Sequence, residues 1–195
     1  QAGGAVVVPF TRRGNLIIVE GAVNGAPVSF ILDTGADITI VPQSFAARLG
    51  VDPKSGIFIT MSGIGGTVEV PLVETDSVAV GEAEVRNLEV TVNETPLADT
   101  GLLGADFLSD YKVNIKYETN EVFLEPVARA YGGHSFEWWQ KKFRLYLGVK
   151  RRYEQAGAGR GGNEVLEGQL RAVEQKIAEL ESRASQAGIP REFRQ

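Results

Sequence analysis

Asp33 ends an apolar run, Val28-Ser29-Phe30-Ile31-Leu32, and opens a turn through Thr34 and Gly35 before Ala36 and a second acid, Asp37. The chain then returns to apolar residues at Ile38, Ile40 and Val41. A carboxylate delivered by a buried strand is costly unless it is hydrogen-bonded or shares a proton. Such an acid is suited to proton transfer to and from water. Asp-Thr-Gly alone is also ordinary turn chemistry, so the flanking elements must decide.

Two further segments bear on it. Met61-Ser62-Gly63-Ile64-Gly65-Gly66 sits between β-rich runs at 57–60 and 67–70. Three glycines around one isoleucine describe a hairpin tip able to approach a ligand backbone closely. Gly101-Leu102-Leu103-Gly104-Ala105-Asp106 then reads as an apolar strand turning into a short helix near 106–110. Taken singly, these are a glycine-rich hairpin and a strand-to-helix turn.

In this order and spacing, the three segments resemble the retropepsins, the retroviral-type aspartic proteases. Residues 31–37 are similar to the family's catalytic loop, Gly63-Ile64-Gly65-Gly66 to its flap tip, and Leu102-Leu103-Gly104 to the element behind the catalytic loop. Residues 103–113 and the hairpin at 114–124 also resemble the end of a pepsin lobe. The resemblance covers about residues 5–126 and none of the last third.

The resemblance implies a mainly β, single-lobe closed barrel, half of a pepsin fold. It also implies an aspartic endopeptidase that needs a homodimer, because one chain supplies one segment resembling the catalytic loop, residues 31–37. Two carboxylates about 3 Å apart cannot both ionise, so the pair shares a proton and activates a water without a covalent intermediate. By the same resemblance, Asp33 is the catalytic acid and base, Thr34 braces the dimer axis, and Gly35 admits substrate backbone. Ala36 and Asp37 contact substrate main chain, Ile38 and Leu103 wall apolar pockets, and Gly63, Ile64, Gly65 and Gly66 close over an extended peptide. No cofactor or metal is required. The chain has no Cys, and its one His, His134, lies outside the matched region.

Three departures carry expectations. Where retroviral enzymes place an arginine to brace the second acid, this chain has Ala105, which leaves Arg12, Arg13 or another arrangement to hold Asp37. Ala36 stands where pepsin-like enzymes commonly carry a hydroxyl, implying activity nearer neutral pH than pepsin's. The chain also continues past Val113 into an intralobe hairpin where retroviral enzymes end in a dimer-knitting strand, so the dimer contact is expected to differ.

Composition narrows the class. The 195 residues suit one domain plus an extension. Residues 1–127 hold 7 Lys/Arg and 17 Asp/Glu, net −10, which argues against nucleic acid as a ligand. Residues 128–160 hold 8 and 2, net +6, and residues 161–195 hold 5 and 6, net −1. No apolar stretch approaches a membrane span. The first residue is Gln rather than Met, as expected of a processed or shortened chain. Bacterial relatives of the resembled family are often exported or membrane-linked, which implies an extracytoplasmic location.

The elements follow from pattern. Asn24-Gly25 and Gly81-Glu82 predict two-residue hairpin turns. A short helix is expected at 44–49. A protease domain over 1–127 gives way to a helical extension over 128–195. Ser135 is a candidate cap for a basic aromatic helix at 135–155, with Phe136, Trp139, Phe143, Tyr146 and Leu147 on one face and Lys141, Lys142, Arg144, Lys150, Arg151 and Arg152 largely on others. That face could dock on the protease body or its dimer mate, enter a regulatory partner's groove, or lie on a membrane surface. After a glycine-rich joint at 157–162, Leu166, Leu170, Val173, Ile177 and Leu180 have coiled-coil spacing, predicting a short helix at 163–187 that docks on its own domain or on a partner, or aids dimerisation. The competing function is a non-catalytic or tail-regulated peptide-binding scaffold that keeps the protease fold.

Overall fold

The computed structural model describes residues 4–49, 56–63, 66–127, 131–157 and 163–194. Two compact units divide the chain. One comprises Gln1–Gly50 and Val73–Val127, the other Val51–Leu72 and Ala128–Gln195. The predicted flap hairpin therefore groups with the helices rather than with the strands that follow it in sequence.

The first unit is almost entirely β. Its strands are β1 (Val6–Arg13), β2 (Leu16–Val23), β3 (Ala26–Leu32), β4 (Thr39–Pro42), the end of β6 (Gly66–Val80), β7 (Ala83–Asn93), β8 (Thr100–Leu103), β9 (Tyr111–Lys116) and β10 (Glu121–Pro126). Two single-turn helices interrupt them, α1 (Ala46–Leu49) and α2 (Ala105–Leu108). The strand order is β6-β7-β4-β8-β3-β2-β1-β10-β9, and an added β6–β2 pairing closes six strands into a ring.

Local chemistry explains the turns. Asn24 and Gly25 both have positive φ, 50° and 76°, as a tight hairpin turn with the sheet's own twist requires. β2 and β3 pair across it from Val23↔Ala26 to Ile18↔Ile31. The hairpin expected near 114–124 is present, with Glu121 opposite Lys116. Phe30, Val41, Val78, Val90, Leu103 and Phe107 are fully buried at the centre of the core. Burial of each large apolar side chain contributes about 1.5–3 kcal/mol.

The topology around Asp33 matters most. β3 runs parallel to β8, with Leu32 opposite Leu103. The chain leaves β3, makes the 33–38 loop, and returns as β4 on the other side of β8, where Ile40 faces Leu102. β4 in turn runs parallel to β7. The loop is thereby fixed at both ends to one central strand.

The second unit holds the hairpin of β5 (Ile57–Gly63) with the first half of β6, and the helices α3 (Phe136–Gly157) and α4 (Glu164–Gln186). Ser135 Oγ accepts the Trp138 N–H at 3.1 Å, the expected cap of α3. Asn163 caps α4 by accepting from Val165 and Leu166 N–H groups. The helices lie antiparallel: Trp138 meets Arg183, and Lys150 reaches Glu174 at 3.0 Å.

The structure decides between the readings of α4 and shifts the aromatic face of α3. The seam of α4 faces α3 and β5 of its own chain, with Val173 and Leu180 buried and Leu166, Leu170 and Ile177 half-buried. Intrachain packing thus uses the stripe that spacing assigned to a coiled coil. The aromatic face is rotated from its expected centre, since Trp138, Val149 and Tyr153 are buried while Phe136 and Leu147 are only partly so. Lys142 is also buried, its ammonium 4.4 Å from the Trp138 ring centre. A long aliphatic stem and an aromatic face make that burial tolerable. No helix among the described residues is long and apolar enough to cross a membrane.

Candidate active site

The Asp33 N–H donates to the Leu103 carbonyl at 3.1 Å, extending the β3–β8 ladder by one residue. The loop then turns on the acid itself. Asp33 Oδ1 accepts the Gly35 N–H at 2.9 Å, and the Asp33 carbonyl accepts the Ala36 N–H at 3.3 Å. The Ala36 carbonyl accepts the Ala105 N–H at 2.7 Å, so the loop is stitched to α2 as well. A Cβ added at Gly35 would lie 3.2 Å from Asp33 Oδ1, which is why the turn favours glycine there. Asp33 is half-buried, Thr34, Gly35 and Asp37 are exposed, and Ala36 and Ile38 are half-buried.

A recess of about 340 Å³ adjoins this carboxylate. Leu16, Ile31, Leu32, Leu102, Pro96 and Tyr117 line it together with Asp33 and Thr34. The wall therefore carries Leu102 rather than Leu103. Leu103 is fully buried in the core, because successive side chains of β8 point to opposite faces. Its placement corrects the expectation that it walls a pocket.

Sequence reasoning missed the residues that hold the loop from behind. Thr39 is fully buried; its N–H and hydroxyl donate to Asp106 at 2.8 and 2.7 Å, while its Oγ1 accepts the Gly104 N–H at 3.1 Å. Asp106 also accepts the Phe107 N–H at 2.8 Å. A Cβ at Gly104 would meet the Ile38 and Ala36 backbone at 2.8 and 2.9 Å, so loop and α2 touch without space for a side chain. Burial pushes the Asp106 carboxyl up to about 6, partly offset by the Thr39 and Phe107 donors and aided by the Glu89 charge. The signal available in the sequence was an acid one residue after the position where the resembled family carries arginine.

Among the described residues, no arginine takes up the brace to Asp37. Arg12 lies over the Tyr117 ring at 5.7 Å, and Asp37 has no ion pair among the described residues. The hairpin residues Gly63 and Gly66 face each other at the end of the β5–β6 ladder in the second unit. Ile64 and Gly65 lie outside the described residues. Among the described residues, no group of three or more His, Cys, Asp or Glu side chains is arranged to hold a metal ion.

Residues 19–110 match the family described as "gag-polyprotein putative aspartyl protease". A protein of Sinorhizobium sp, described as an uncharacterized protein in the cobV 5′ region, is 30% identical over 103 residues, covering 52% of this chain and 44% of that protein. The chain thus spans less than half the length of that relative. A crystal structure of a retropepsin-like aspartic protease from Rickettsia conorii is 24% identical, with a TM-score of 0.49, covering 62% of this chain and 89% of that one. Over residues 19–110, from within β2 to just past α2, this chain is therefore similar to that aspartyl protease family.

Proposed function

We propose that this chain is an aspartic endopeptidase, active as a homodimer in which Asp33 of each protomer supplies half of the catalytic pair. The observation carrying this reading is the Asp33 loop: a carboxylate at the end of a buried strand, tethered by the Gly35 N–H at 2.9 Å and facing a largely apolar recess. Of the two Asp-Thr-Gly tripeptides, 33–35 and 99–101, the second has its Thr and Gly inside β8 and an exposed Asp99 at φ 60°, so the proposed pair of Asp33 carboxylates requires two chains.

In the proposed reaction, the two acids share one proton. The ionised member takes a proton from a water, the protonated member donates to the scissile carbonyl, and the water attacks. Thr34 and Gly35 fix the loop and leave room for substrate backbone, Asp37 accepts a main-chain N–H, and Ala36 and Ile38 border the bound peptide. The recess beside Asp33 receives an apolar side chain of the substrate. The hairpin tip at 63–66 serves as a flap that covers an extended peptide and excludes water.

Asp33→Asn tests the assignment. Peptide cleavage should fall by at least about a thousandfold, while the thermal midpoint stays within a few degrees. A folded variant with wild-type turnover overturns it. A profile over a proteome-derived peptide library, with the same variant as control, should return cleavage beside apolar residues.

A further inference from the structure

The end of α3 grips both strands of the hairpin. β5 is the outermost strand of its sheet, so its outward backbone groups lack a neighbouring strand. Tyr153 replaces that neighbour at one residue. Its hydroxyl accepts the Phe58 N–H at 2.7 Å and donates to the Phe58 carbonyl at 2.8 Å. The ring is buried, at 3% exposure, and burial pushes the phenol's pKa up, so it keeps the proton that it donates.

Arg152 extends the grip across the ladder. Its Nη2 donates to the same Phe58 carbonyl at 2.6 Å, and its Nη1 bonds the Thr60 hydroxyl. The guanidinium also lies 3.8 Å from Glu69, which pairs with Thr60 from the opposite strand. One side chain thereby ties β5 to β6, three residue pairs below the Gly63–Gly66 tip. Arginine suits this use, because its planar fork serves several acceptors at once.

We propose that Arg152 and Tyr153 are positioning residues of the flap: the C-terminal helix pair holds the β5–β6 hairpin at its base and sets how readily it opens for a peptide. The proposal rests on the hairpin's role suggested above. It gives the helical extension a task within the reaction, and it makes any ligand or protein that shifts α3 a modulator of hairpin opening.

Amide hydrogen exchange on the full chain tests the grip without relying on activity. Tyr153→Phe should speed exchange at the Phe58 amide about tenfold, and Arg152→Ala should do so across residues 57–63 and 66–72. Arg152→Lys should restore only part of the protection. Protection in α4 around Val173 and Leu180 should remain at the wild-type level. In peptide cleavage, both Arg152→Ala and Tyr153→Phe should lower kcat/KM several-fold, mainly by raising KM. Unchanged hairpin exchange in both variants overturns the proposal. Equal acceleration in α4 also overturns it, since the two residues would then only support the helices' fold. Faster hairpin exchange with unchanged kcat/KM overturns the positioning role. If the wild-type chain cleaves no peptide, that failure falls on the endopeptidase reading, and the exchange results still decide the grip.

Discussion

The Asp33 loop and the hairpin are anchored by different means. Behind the loop, buried Thr39 and half-buried Asp106 form a cluster in which one hydroxyl serves a carboxylate and the Gly104 N–H at once. At the hairpin, Arg152 and Tyr153 hold an edge strand from a helix end, and the Arg152 side chain keeps 33% exposure. Thr39 is fully buried, so no solvent replaces a partner lost there and its removal is expensive. The Arg152 part of the grip is partly exposed and can be exchanged for water at modest cost, as the proposed opening of the hairpin would require. On the proposed reading, the difference teaches that a fixed acid and a mobile cover would use contacts of different depth.

Thr39→Val should give the largest effect on stability. It keeps the volume but removes the hydroxyl, leaving Asp106 short of a donor and Gly104 without its acceptor. We expect a loss of about 2–4 kcal/mol in denaturant unfolding. Peptide turnover should fall at least about tenfold as the loop loosens. A smaller cost than that of Arg152→Ala would break the contrast between the two anchors.

Asp106→Asn sharpens it through pH. The Asp106 carboxyl sits at about 6 against an ordinary value of 3.8, so the folded state holds its proton more tightly than the unfolded chain. Stability from this group is fully present below pH about 3.8 and is lost as pH rises through about 6. The wild type should therefore lose about 1–3 kcal/mol between pH 4 and 7 from this residue, and the variant should not. Urea midpoints for both proteins across that range check the prediction. Parallel pH profiles would show that the cluster does not titrate.

Lys112→Ala provides the small end of the scale. Lys112 meets Glu125 at 3.5 Å across the β9–β10 ladder, and both side chains are more than half exposed. Its removal should change stability by less than about 0.5 kcal/mol in the same unfolding assay. A larger loss would mean that surface pairing, rather than buried anchoring, carries part of the β-rich unit.

These contacts also mark what the sequence could disclose. The Asn24-Gly25 turn was legible because its residues tolerate positive φ, and the 121–126 strand because it follows a short polar turn. The Asp33 loop was legible because its acid, turn and strand are adjacent. The Thr39–Asp106 cluster was not, since its members stand 67 positions apart and neither belongs to a local motif. The hairpin grip hides for the same reason: Tyr153 and Phe58 are 95 positions apart. Lys142 misled because helical periodicity sends charges outward, whereas its stem and ammonium lie along Trp138. The α4 stripe was read correctly as apolar, but spacing alone does not say whether α3 or a second chain covers it.

Mixing wild-type chains with Asp33→Asn chains tests the shared pair most directly. With random pairing in an equal mixture at fixed total concentration, activity per wild-type chain should fall to about half, because half of those chains meet an inert partner. The loss should track the wild-type fraction across the titration. Activity per wild-type chain that stays constant at every mixing ratio would show that one Asp33 suffices, and would contradict the account.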